Sequence, residues 1–128
     1  MALAEANGND LGYTWLDPSS DELVLSAVTP RGRELLQNAG IDVPFRTRNV
    51  AHGVAELRRI QDDVTFLGSR GVEGAELVVA TLPDHRDNRA MIVLSAMSRP
   101  LLDYLASHYP VDAIAVQIDP DGAALSGP

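Results

Sequence analysis

Three histidines are the residues of this chain with the widest chemical range, and each stands at a place local structure explains. His52 lies near a helix start, His85 in a turn between Asp84 and Arg86, and His108 at a helix end before Tyr109 and Pro110. The last is favourably placed against the negative end of its helix. No Gly-x-Ser-x-Gly elbow is present, so a Ser/His/Asp triad has no recognisable nucleophile. Asp84-His85-Arg86-Asp87 offers carboxylates and an imidazole, but a metal needs three or more convergent, supported ligands, and a solvated hairpin turn is the stronger reading. Gly68-Ser69-Arg70-Gly71 lacks the long Gly-rich spacing and the Lys of a phosphate loop and reads as a helix stop. Asp62 and Asp63 are neighbours that point about 100° apart on a helix, the wrong geometry for an acid–base pair. Trp15 serves either as a ligand platform or as a cover for the core, and the core is favoured. No catalytic residue, cofactor or metal ligand is expected, so the function implied is binding.

Composition narrows the partners. The absence of cysteine excludes disulfide scaffolds, thiolate zinc sites and cysteine nucleophiles. All ten basic residues are Arg, and eighteen acids bring the net charge to −8. That charge repels phosphate backbones and anionic membrane surfaces, so neither nucleic acid nor membrane is an expected partner. Apolar residues make up 45% but only Phe45, Phe66, Trp15 and three Tyr are aromatic, which predicts an aliphatic core. At 128 residues the chain can bury roughly two-thirds of its unfolded surface without metal or disulfide. Its apolar runs are strand-sized, and no basic region followed by a hydrophobic stretch opens it.

The elements that would position these side chains are written twice. Val24-Leu25-Ser26-Ala27-Val28-Thr29-Pro30-Arg31 is echoed by Val93-Leu94-Ser95-Ala96-Met97-Ser98-Arg99-Pro100, each preceded by an Asp-rich turn and followed by a Leu-Leu helix (Leu35, Leu36; Leu101, Leu102). Strands are predicted over residues 13–16 and 22–28, joined by the turn Asp17-Pro18-Ser19-Ser20-Asp21. Thr29 is the expected N-cap of a helix over 30–39, with Pro30 at its first position and Gly40 as a left-handed stop. Residues 43–50 alternate, with Val43, Phe45, Thr47 and Asn49 opposed to Arg46 and Arg48, as a half-exposed strand does. Val54, Leu57, Ile60 or Gln61, Val64 and Leu67 then form the apolar stripe of a linking helix over about 50–67. The second half repeats the plan with strands over 75–82, 89–95 and 113–118 and a helix over 99–109 capped by Ser98. The expected fold is α+β: duplicated ββαβ units, half-repeats about 11–50 and 72–119, joined by an amphipathic helix, with mainly antiparallel sheets covered by helices. Both halves are expected in a single domain over 11–119, because each buries only one face alone. Residues 1–10 and 120–128 are expected to be flexible.

Several segments resemble the N-terminal prosegments of actinobacterial chymotrypsin-like serine proteases, the α-lytic protease and streptogrisin group. Trp15-Leu16-Asp17 followed by Leu23-Val24-Leu25-Ser26-Ala27-Val28-Thr29 is similar to their first hairpin, residues 55–64 to their Ala-Glu-Leu…Gln helix, and residues 87–94 to a later strand. The resemblance covers most of residues 12–118. It implies a secreted, non-catalytic domain that assists folding of a serine protease and inhibits it, with a tail lying product-like near the active site. Asp119, Pro120, Asp121, Gly122, Ala123, Ala124 and Leu125 would form that tail. No Thr-Ala-Ala-His-Cys-like or Gly-Asp-Ser-Gly-Gly-like segment accompanies it. Two other readings stand beside this one: a cytoplasmic interaction or regulatory module, and a GAF-like small-molecule sensor, which would need a cavity.

Overall fold

Two hydroxyl caps set the plan of the chain. The Thr29 side chain accepts from Gly32 N at the start of α2 (Pro30–Gln37), and Ser98 accepts from Leu101 N at the start of α4 (Arg99–His108). Each satisfies an N–H that the first turn leaves without an intrahelical partner, and a proline follows within two residues in both. The structure, a computed structural model, describes residues 2–121. Its remaining elements are α1 (Ala2–Ala6), β1 (Trp15–Asp17), β2 (Glu22–Ala27), β3 (Phe45–Asn49), α3 (Val54–Thr65), β4 (Val78–Asp84), β5 (Arg89–Leu94) and β6 (Ile114–Ile118). The fold is α+β, and ββαβ is used twice. In each copy the hairpin pairs antiparallel and the strand after the helix pairs parallel, giving two mixed three-stranded sheets, β1-β2-β3 and β4-β5-β6. The parallel partner follows from the crossover, since a helix between strands returns the chain in its original direction.

The residues divide into two compact units, one running up to Leu57 together with His85–Asn88, the other holding Arg58–Asp84 and the residues from Arg89 on. In the first, Ala4, Leu11, Leu25, Ala27, Leu36 and Val54 form a buried cluster lined by Leu3, Tyr13, Leu23 and Ile41. Ala4 belongs to α1, a helix in the stretch whose small polar composition predicts a flexible start; one buried methyl and the Asn7 Nδ2–H donated to Leu3 O fix it. Asp17 closes the first hairpin by accepting from the Ser19 N–H and hydroxyl, at 3.0 and 2.7 Å. This is the turn chemistry an Asp-Pro-Ser run favours. The expected α2 ends early, at Gln37 with Asn38 as its cap, and Gly40 takes the left-handed conformation (φ 68°) just beyond.

In the second unit Ile60, Val64, Leu67, Ile92, Val93, Leu94, Leu101 and Leu105 are buried. The aliphatic stripe expected along α3 is therefore present, with Val54 and Leu57 buried at its start. The Leu-Leu likeness is out of register: Leu36 and Leu105, each seven positions after its cap, are the equivalent buried residues, while Leu35 and Leu102 are only half-buried. The Tyr109 hydroxyl donates to Asp63 at 2.7 Å, and Arg70 Nη2 meets the same carboxylate at 2.7 Å. Arg70 first and Tyr109 second hold the Asp63 carboxyl below its ordinary range, while burial pushes the Tyr109 phenol up.

Candidate functional site

The backbone groups at the edges of a sheet are left without strand partners, and another chain can pair with them. Two three-stranded sheets present four edge strands, and among the described residues three of them carry the features that blunt an edge. β1 is three residues long and ends in Asp17 before Pro18; β3 carries Arg46 and Arg48; β4 carries Pro83 and Asp84. β6 reads Ile-Ala-Val-Gln-Ile, with neither proline nor charge. The Asp119 N–H donates to Leu94 O at 2.8 Å, which directs the backbone groups of residues 115 and 117 toward β5 as well. By the alternation of a strand, the N–H and C=O of Val116 and Ile118 face the edge on which no strand of the described residues is paired. Their side chains are 36% and 43% exposed.

The tail predicted to bind begins where this strand ends. Asp119 is nearly buried and continues the pairing with β5, whereas Pro120 and Asp121 are exposed. Gly122, Ala123, Ala124 and Leu125 lie outside the described residues.

A second feature, in the first unit, was not found from the sequence. Trp15, Asp17, Arg46, Arg48, Arg86 and Asp87 line an open cleft of about 430 Å³. Arg48 stands over the Trp15 ring at 5.9 Å, donates Nε–H to Ser26 Oγ (2.9 Å) and Nη2–H to His85 O (2.5 Å), and bonds Arg86 O through Nη1. It thereby ties the 85–88 turn in place. Arg46 gives Nη2–H to Asp17 (2.6 Å) and Nη1–H to Ser20 Oγ (3.0 Å). The signal for this cluster was the spacing of Arg46 and Arg48, which puts both on one face of β3. The apolar side of β3 does not take the burial that alternation suggests: Phe45 is 39% exposed, and Arg48 is the most covered side of the strand. Trp15 is half-buried at the cleft rather than in the core, and its Nε1–H meets no acceptor among the described residues.

Arg46, then the Ser19 hydroxyl and N–H, hold the Asp17 carboxyl far below the usual carboxylate range. A depressed carboxyl contributes stability that is complete above its unfolded value, about pH 4, and is lost as pH falls further. Asp17→Asn should therefore flatten the acid side of the stability curve. Urea unfolding at about pH 5 and about pH 3 checks this: wild type should lose more between the two than the variant.

The histidines take structural places. His52 Nδ1 is 2.8 Å from Glu56 Oε1, and its backbone N–H donates to Asn88 Oδ1 while Asn88 Nδ2 donates back to His52 O. His85 lies against Tyr13 with ring centres 4.6 Å apart, and His108 stacks on Tyr104 at 3.7 Å. No group of three or more His, Asp or Glu fit to hold a metal ion occurs among the described residues, and no described helix is long and apolar enough to cross a membrane. Compared with models of protein families and with curated proteins, the chain matches none.

Proposed function

We propose that this chain is a non-catalytic protein-binding domain that acts as a protease prosegment does, assisting the folding of a chymotrypsin-like serine protease and inhibiting it. The observation that carries the reading is the open edge of β6, where neither charge nor proline opposes pairing with a second chain. An extended strand of a partner pairs with such an edge through main-chain hydrogen bonds. Pro120 and Asp121, which follow this strand, then stand at the partner's cleft.

Val116→Pro tests the edge. It removes an N–H that points outward and leaves the β5–β6 ladder intact, a position at which strands tolerate proline. The variant should keep the circular dichroism spectrum and melting temperature of the parent while losing inhibition of α-lytic protease or streptogrisin. Removal of everything after Asp119 should likewise leave folding intact and weaken inhibition at least tenfold, about 1.4 kcal/mol. If the full chain inhibits no protease of this group, or both variants inhibit as well as the parent, the prosegment reading gives way to an interaction module with another partner.

A further inference from the structure

The cleft of the first unit is not needed by the edge of β6, and its lining has a composition of its own. Three of the chain's ten basic residues converge there although the whole chain carries −8. Two of the three are engaged: Arg48 with Ser26 and the carbonyls of His85 and Arg86, and Arg46 with Asp17 and Ser20. Arg86 is different. Its backbone carbonyl is held by Arg48, which fixes where the residue stands, while its exposed guanidinium has no hydrogen-bond or ion-pair partner among the described residues. The three guanidinium groups face the carboxylates of Asp17 and Asp87, and Glu22 Oε1 lies 3.7 Å from Arg46 Nη1, so the free group of the cluster is the Arg86 fork and not a surplus of charge.

That free fork, with an indole as one wall, points to the class of ligand. One unengaged guanidinium matches a single carboxylate; a doubly charged phosphate would set a second negative charge near Asp17, Asp87 and Glu22. A free guanidinium is a planar fork of donors that fits a carboxylate with two parallel hydrogen bonds. Trp15 offers aromatic surface for a flat apolar body, and a volume of about 430 Å³ falls within the range of small-molecule sites. We propose that this cleft binds an aromatic carboxylate, with Arg86 clasping the carboxylate and Trp15 lying against the ring. A free aromatic acid and the C-terminal carboxylate of a peptide ending in Phe share this chemistry.

Trp15 is the chain's only tryptophan and lines the cleft, so its fluorescence reports directly on occupancy. The full chain would be titrated with phenylacetate, with phenylacetamide as the uncharged analogue, with phenyl phosphate as the doubly charged one, and with a tetrapeptide ending in Phe, as its free acid and as its amide. Phenylacetate or the free-acid peptide should give a saturating change, and which of the two binds more tightly identifies the source. Both amides, which lack the carboxylate, should give none. Arg86→Gln, at an exposed side chain that makes no bond, should leave the melting temperature unchanged and weaken binding at least tenfold. Absence of saturation by both carboxylates, equal response to the amides, tighter binding of phenyl phosphate, or undiminished binding by Arg86→Gln would each overturn the assignment.

Discussion

Gly32→Ala is expected to destabilise the chain by about 3 kcal/mol, roughly 10 °C in melting temperature, although alanine is the better helix former. Gly32 lies in the first turn of α2, where replacing glycine ordinarily gains about 1 kcal/mol. Here a Cβ would stand 2.0 Å from Asp10 O and 3.2 Å from a Leu11 methyl. The obstacle is backbone, held by the Val28 N–H donated to the same oxygen at 2.8 Å and by the Thr29 hydroxyl donated to Asp10 Oδ1 at 2.8 Å, so it cannot swing aside as the end of a side chain would. Relief requires α2 to lift from the segment before β1. Gly68→Ala is the control, since nothing lies within 4 Å of the added methyl. Thermal unfolding of the two variants beside the parent decides the matter: equal stability of Gly32→Ala and the parent would show that the close approach is not maintained in solution.

Leu36→Ala and Leu105→Ala should each cost about 2–5 kcal/mol, because both side chains are fully enclosed and their removal leaves a cavity. Leu102→Ala, at a half-buried position, should cost less than Leu105→Ala. The pair also tests domain organisation, since Leu36 belongs to the first compact unit and Leu105 to the second. The proposal of a single domain requires that both substitutions lower one common transition in calorimetry. A transition that moves with Leu36 and another that moves with Leu105 would make each unit a domain in its own right.

The duplication was readable because capping and turn formation are local. Thr29 and Ser98 can be recognised from the proline and the apolar spacing that follow them, and Asp17 from the Ser19 it bonds two residues on. The stripe of α3 was readable for the same reason, its period being a property of one helix. What could not be read depends on partners distant in the chain. α1 is a single short turn and is fixed by the buried Ala4 methyl, by Leu3 against the cluster and by the Asn7 Nδ2–H donated to Leu3 O. Matching Leu-Leu with Leu-Leu put Leu102 where Leu105 belongs, since the likeness of two letters is weaker than the distance from the cap. The cleft joins residues 15–19, 46–48 and 86–87, and only the hydrogen bonds of Arg48 to the 85–88 turn reveal that they converge. The open edge of β6 became visible once strand order was known, because a sequence says which residues make a strand but not which strand lies outermost.

Asp21 and Asn88 each close a hairpin with a positive φ of 55°, yet only Asn88 is buried, its amide exchanging two hydrogen bonds with the backbone of His52. That amide imitates a peptide group in an antiparallel pair, and it makes Asn88 a point at which chemical ageing would be felt. Hydrolysis to aspartate would turn the Nδ2 donor into an acceptor facing the His52 carbonyl, oxygen against oxygen. The same engagement restrains the side chain from the ring closure by which asparagine is lost. The shelf life of the folded chain is thus coupled to a turn residue whose counterpart in the first copy, Asp21, is exposed.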